Sequence, residues 1–309
     1  SGKGMSGRTA FNPTLEYVEK FPWADGTPVK EFDKMSAEEK AKMFTTGLDA
    51  SENGVKGSKA SYTRDPRLYE NVLVNGAYQS LDWTSNHGNL GVSGQPMRFE
   101  IWVGGKNAGQ TPVTQTLDFA TGFANNKYYL SPRGNDALRK YTQWTYIRLA
   151  EMYLDYAEAI LKTTGEVSEA LKWINPIRNR VGLKNLEEVN QNAVASADAL
   201  MDELLDERVR ELGMEDTRWF DIVRYKKGGD LLTKPLHGLR IYRQKDGKDY
   251  DKVWFGSGET YPTSFRYEKF ELSTKRIWWS QGFDAKWYLQ PFPEAEVLRG
   301  YGLVQNPGW

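Results

Sequence analysis

The sequence predicts an all-α fold built of helical hairpins, with long loop excursions and little strand. Three observations carry that prediction. Residues 141–226 place apolar side chains at helical spacing, punctuated by Gly165 and Gly182. Residues 1–140 and 227–309 have nearly every apolar run cut by Gly, Asn, Ser or Pro. Helix–turn–helix units follow one another without a long sequence repeat, the pattern of a helical-hairpin array.

Taken in order, the first predicted element runs from Ser36 to about Phe44, because Ser36 and Glu39 have capping-box spacing. The stretch "DPRLYENVLVNG" (65–76) reads as a helical turn or a strand. "FEIWV" (99–103) alternates, which predicts a short strand that could turn Trp102 inward. "TYIRLAEMYLDYAEAILKT" (145–163) is the first long helix, with Ile147, Met152, Leu154, Ala157 and Leu161 at helical spacing. Ser168 is the expected cap of the second helix, whose apolar face is Leu171, Ile174 and Ile177. Pro176 predicts a kink there, and Gly182 a C-terminal cap. A third helix begins near Ser196 or Asp198 and aligns Leu200, Leu204 and Leu212. "TRWFDIVRYKKGG" (217–229) continues or restarts it, stopping at Gly228–Gly229.

Composition narrows function by exclusion. Lys plus Arg equals Asp plus Glu, 41 each, so the basic excess of a phosphate-tracking nucleic-acid binder is missing. There is no Cys, which removes thiol nucleophiles and Cys-based metal sites. Only His87 and His237 occur, so a His-rich metal site is not expected. No apolar run is long enough to span a membrane as a helix, and "SGKGMSGRTA" has no apolar signal region. Aromatics are abundant, with 11 Trp, 17 Tyr and 13 Phe, many among Gly, Asn and Ser.

Glu151, Asp155 and Glu158 share one face of the first long helix. Such a trio could hold a metal or run acid–base chemistry. A di-metal carboxylate site, however, wants Glu-x-x-His pairs on facing helices, and the helical zone has no His. It does carry Arg178, Arg180, Arg208, Arg210, Arg218 and Arg224. The reading preferred is therefore inter-helix ion pairing that sets register.

Those same segments carry a family resemblance. "YIRLAEMYLDYAEAI", "ALKWINPIRNRVGL" and "LLDERVRELGMEDTRWFDIVRY" resemble the C-terminal half of the SusD/RagB family. "NPTLEYVEKFPWADG" (12–26) and "RDPRLYENVLVNG" (64–76) are similar to segments that open that half. "WYLQPFPEAEVLRGYGLVQNPGW" (287–309) is similar to its closing segment, with Phe292 where Ile is usual and Gly300 near where Asn is common. The resemblance implies a tetratricopeptide-like helical fold. It implies that 1–309 is the C-terminal part of one domain: 1–140 loop-rich, 141–226 a helical core, 227–309 a loop-rich closing segment. The family's first half, with signal peptide, lipid-bearing Cys and early repeat helices, is not in the sequence. The resemblance further implies a protein anchored by lipid on the outer face of the outer membrane, capturing glycan for a SusC-like TonB-dependent transporter. It implies no catalysis; no cofactor and no metal ligands are assigned, and whether a Ca²⁺ sits in a loop is left open.

A pyranose offers an apolar face and a rim of hydroxyls, which exposed aromatic rings and amide or charged side chains answer. Residues 78–102, "YQSLDWTSNHGNLGVSGQPMRFEIW", fit that chemistry best. They supply Tyr78, Trp83 and Trp102 beside Gln79, Asp82, Asn86 and Arg98, with His87 and Asn89 nearby. The competing reading of each Trp is packing against the helical core. Trp144, Trp173 and Trp219 look structural. Relatives of the RagB type leave peptide binding open, as does a mainly structural role as a transporter lid. A hydrolase built on Ser85 or Ser93 with His87 lacks the Gly-x-Ser-x-Gly turn. Asp82, Glu100 and Asp118 are loop acids of the kind any loop-rich chain carries.

Overall fold

The structure, a computed structural model, describes residues 12–44, 62–77, 100–105, 110–111, 114–115, 119–127, 144–250, 262, 264–272 and 277–309. Among these it is mostly helical with little strand, as predicted. The elements are α1 (Leu15–Glu19), α2 (Ala37–Ala41), α3 (Pro66–Asn71), β1 (Val72–Leu73), β2 (Gln110–Thr111), β3 (Thr114–Gln115) and β4 (Ala124–Asn125). The long helices α4 (Leu149–Thr163), α5 (Val167–Arg180) and α7 (Ala197–Leu212) follow, with α6 (Leu186–Val189) between the last two. The chain closes with α8 (Arg218–Arg224), α9 (Gly228–Leu232), β5 (His237–Lys245), β6 (Lys248–Asp249), β7 (Phe265–Glu271), α10 (Ile277–Gln281) and α11 (Glu294–Val297).

Local chemistry explains the helix ends. Ser36 and Glu39 form the reciprocal capping box at α2. Stretch 65–76 is both readings in succession, helix α3 and then strand β1, with Pro66 at the first turn and Asp65 accepting from Arg67 N–H. At α5 the expected cap is corrected: the helix starts one residue before Ser168, and Glu166 is its N-cap. Pro176 sits inside an uninterrupted helix. Its end is the motif foreseen at Gly182, where Leu183 N–H reaches Arg178 C=O at 3.2 Å and Gly182 N–H reaches Asn179 C=O at 3.0 Å. The glycine needs its φ of +87° for this. Ser196 caps α7 by accepting from Ala199 N–H. The chain then turns through Gly213 and restarts as α8. Gly228–Gly229 does not stop it, but opens α9.

Two corrections concern apolar pattern. Leu154, Ala157 and Leu161 are buried against α5 and α7, whereas Ile147 and Met152 are exposed. Ile147 precedes the helix, and Met152 lies about 160° from Leu154 around its axis, at 100° per residue. The closing segment also holds more strand than expected. Strand β5 pairs antiparallel with β7 from His237↔Glu271 to Arg243↔Phe265, and with β6 at its other edge. Its inward row is Leu239, Ile241 and Arg243. The arginine in that row breaks the apolar alternation that would have revealed the strand.

The buried apolar residues form two clusters. One gathers α1, α3, β1, β5 and β7 around Phe21, Leu68, Trp102 and Ile241. The other is the α4–α5–α7 bundle around Leu154, Ile174 and Leu204. Much of what joins them is polar. Arg67 of α3 donates to Glu207 at 2.6 Å and Glu211 at 2.9 Å on α7. Lys20 reaches Asp206 at 2.7 Å, and Arg210 Nη1 reaches Lys20 C=O at 3.0 Å.

Candidate ligand-binding region

The excursion expected to bind ligand is rooted in the first cluster. Asn75 follows β1, and its Oδ1 accepts from Ile101 N–H at 3.0 Å. Asn75 and Ile101, on either side of residues 78–99, are thus joined within this core, which Ala77 also enters. Val103 N–H donates to Ile241 C=O of β5 at 2.7 Å, so this segment is tied to the sheet without joining the ladder. Of the strand expected at "FEIWV", the described residues 100–103 form none. A tight turn, Gly105 N–H to Trp102 C=O at 2.8 Å, ends it. Only glycine fits position 105, because a Cβ there would sit 2.3 Å from Glu100 C=O.

Trp102 is fully buried. Its ring packs on Phe265 at 5.5 Å, and the guanidinium of Arg243 lies 5.9 Å from its centroid. A ring so placed presents no face to a ligand; its geometry is that of the packing reading. Tyr78, Gln79, Asp82, Trp83, Asn86 and Arg98, with His87 and Asn89, lie outside the described residues. Trp173 is partly buried, with Tyr153 at 5.2 Å and Tyr156 at 4.7 Å edge-on to it. Trp144 is exposed.

The carboxylate trio of α4 resolves as ion pairing. Asp155 accepts from Arg208 at 2.5 Å, and Arg208 also holds Asp221 at 2.9 Å. Glu158 takes Arg224 through both oxygens and Tyr225 Oη at 2.7 Å. Burial alone would raise the Glu158 carboxyl, but hydrogen bonds from Arg224 and Tyr225 and the nearby guanidiniums leave it below its ordinary value. Glu151 has no ion-pair partner among the described residues, and burial followed by the charge of Asp155 pushes its carboxyl up. No group of His, Asp and Glu that could hold a metal ion occurs among the described residues.

Sequence reading missed two buried arginines in "TRDPR". Arg64 is fully buried and caps the C-terminus of α1, donating to Val18 C=O at 2.8 Å and Phe21 C=O at 2.5 Å. Burial pulls its guanidinium down to about 10. Arg67 instead faces carboxylates. Burial would lower it too, yet Asp65, Glu207 and Glu211 carry it well above its ordinary value. Their only sequence signal was a pair of arginines flanking Asp-Pro.

Comparison with known proteins places this architecture. The model of the SusD family matches residues 1–309, and the chain belongs to that family. A SusD-like protein of Bacteroides ovatus is 30% identical over 174 residues, 53% of this chain and 29% of its own length. SusD-like protein P2 of Formosa agariphila is 30% identical over 129 residues, 39% of this chain and 26% of its own length. The matches thus span less than a third of either curated relative. A solved SusD-like protein of Bacteroides fragilis shares the fold, with a TM-score of 0.59 at 24% identity. It covers 96% of this chain and 47% of its own.

Proposed function

We propose that this protein is a non-catalytic nutrient-binding subunit that captures glycan at the cell surface and passes it to a SusC-like TonB-dependent transporter of the outer membrane. Family membership supports the nutrient-binding role. No helix among the described residues is long and apolar enough to cross a membrane, which is compatible with attachment through lipid. The observation that carries the choice of site is the Asn75–Ile101 hydrogen bond. It joins the described residues on either side of the aromatic–amide stretch on one buried base, a rigid support for a binding segment between them. Trp83 is the principal platform in this reading, with Gln79, Asp82, Asn86 and Arg98 answering hydroxyls. Trp102 anchors the base.

The test is a polysaccharide panel run against the soluble protein by affinity electrophoresis and calorimetry. Retardation by one polysaccharide class is expected, and Trp83→Ala weakens that binding by about 1–3 kcal/mol with the melting temperature unchanged. Unaltered binding by the folded variant removes Trp83 from the site.

One observation favours peptide as a second reading. A cleft of about 420 Å³ lies between α1 with the segment after it and α5, α7 and α9. Glu19, Asp206 and Asp230 line it together with Lys20, Arg178, Arg210 and Lys234 and with Pro22, Val29 and Leu236, and no aromatic ring does. A lining of both charges without a ring suits a peptide segment better than a pyranose face. Saturable binding of peptides, with silence across the polysaccharides, would select it.

A further inference from the structure

Given the peptide reading of the cleft beside α1, on which this rests, we infer that Glu19 receives the positively charged amino group of the bound peptide. The walls of that cleft are set before a ligand enters. Pro22, Pro28 and Pro235 line them, and each proline fixes its own φ. Arg178 Nη2 donates to Gly26 C=O at 3.3 Å, which fastens the segment after α1 to α5. Val29 and Leu236 add apolar surface for side chains. A space of about 420 Å³ is of small-ligand size, so it takes a short peptide or a chain end rather than a folded partner.

Most charges of the cleft already have partners. Lys20 holds Asp206 at 2.7 Å, Arg210 holds Glu203 and Glu207, and Arg178 reaches Glu207. Glu16 accepts from His237 N–H at 3.1 Å and lies 2.7 Å from its Nδ1, and Glu31 pairs with Lys34 at 2.9 Å. Glu19, Asp230 and Lys234 have no ion-pair partner among the described residues. Asp230 and Lys234 are exposed, where water satisfies them. Glu19 is half-buried. Its Oε1 accepts from Phe32 N–H at 2.6 Å, and no described group donates to Oε2. Burial, and then the charges of Glu16 and Glu31, raise its carboxyl against the opposing pull of Phe32 N–H and Lys269. A carboxylate held in this way in a preformed cleft is the signature of a functional group. An ammonium against Oε2 supplies the missing donor and the missing charge together. An anionic ligand would instead meet Glu16, Glu19 and Glu31.

The test equilibrates the intact protein with a mixed tetrapeptide library and reads the retained peptides by mass spectrometry. Half of the library has free N-termini and half is N-acetylated, and each half has members with and without lysine. Retention is expected to fall more than about tenfold for peptides with neither a free N-terminus nor a lysine, because a charge-assisted hydrogen bond is lost. Glu19→Gln keeps an oxygen for Phe32 N–H but removes the charge, and it is expected to bring the amine-bearing peptides down to the same level. Glu169→Gln removes an exposed carboxylate of α5, changes net charge equally, and is expected to leave retention as it is in the native protein. Loss on acetylation whatever the lysine content assigns the terminal ammonium. Retention of acetylated peptides only when they carry lysine assigns the side chain. Glu19→Asp, shorter by one methylene, repeats the measurement if Glu19→Gln does not fold. Equal retention of free peptides and of acetylated, lysine-free ones overturns the ammonium assignment. A folded Glu19→Gln that retains amine-bearing peptides like the native protein overturns Glu19 as their receptor. Both of these results leave peptide binding in the cleft standing, whereas retention of no peptide at all removes it together with the role of Glu19.

Discussion

Arg67 Nη1 lies 2.6 Å from Glu207 Oε1, both groups essentially excluded from solvent and 140 residues apart in sequence. Glu207 also receives Arg210 at 2.7 Å and Arg178 at 3.4 Å. One carboxylate on α7 thus ties the loop-rich cluster to the helical one. Arg67 in turn is forked onto Asp65 and shared with Glu211, so Arg67, Glu207 and Glu211 each have more than one charged partner.

Removing Glu207 takes a shared carboxylate from three buried guanidiniums and leaves Arg178 without its carboxylate partner. Glu207→Ala is expected to cost about 3–5 kcal/mol in urea unfolding. Arg180, whose side chain is 57% exposed, also contacts Glu211. Arg180→Ala is expected to cost less than about 1 kcal/mol, because solvent screens that pair. Equal losses would show that the seam does not depend on burial.

The pH dependence has two components of opposite sign. Burial raises the carboxyls of Glu207 and Glu211, but Arg67 and the other guanidiniums around each more than offset it, so both end below their ordinary values. Their contribution is complete above the unfolded carboxyl range, near about 4.3, and is lost as pH falls through their lower folded values. Glu19 behaves in reverse: burial raises it, despite the hydrogen bond from Phe32 N–H. Its contribution is largest when it is protonated and declines as pH rises through its raised folded value. Thermal melts against pH should show Glu207→Gln losing the acid-side slope. Glu19→Gln should keep that slope and gain stability at neutral pH; an unchanged profile for both contradicts the assignment.

Trp102 should behave as core. Trp102→Ala is expected to cost about 3–5 kcal/mol in thermal or chemical unfolding. A folded, fully stable Trp102→Ala that loses only ligand affinity would return the ring to the binding surface.

Two glycines separate backbone strain from steric clash. Gly182→Ala has open space around its Cβ, so only the left-handed φ is penalised, by about 1–2 kcal/mol. Gly105→Ala drives a Cβ onto Glu100 C=O and must distort the Trp102–Gly105 turn. Hydrogen exchange at Ile101 and Val103 is expected to accelerate in Gly105→Ala and to stay unchanged in Gly182→Ala.

Much of this molecule could be read from local pattern. The capping box at Ser36, the termination at Gly182, the start at Ser196 and the buried stripes of α5 and α7 follow from backbone groups and side chains a few residues apart. Ion pairing of Asp155 and Glu158 was also legible, because arginines abound in the helical zone and histidines are absent from it. What local pattern could not show was decided by partners distant in sequence. Arg243 occupies an inward strand position because Trp102 and Tyr250 lie against it, with their rings 5.9 and 4.6 Å from its guanidinium. Met152 follows the same helical spacing as Leu154, yet only the placement of α5 and α7 determines which of the two is buried. Arg64 and Arg67 carry the same charge three residues apart, and one caps a helix while the other pairs with carboxylates. Periodicity says which residues share a face. Burial, and with it the strength of every charge interaction, depends on what the folded chain packs against that face.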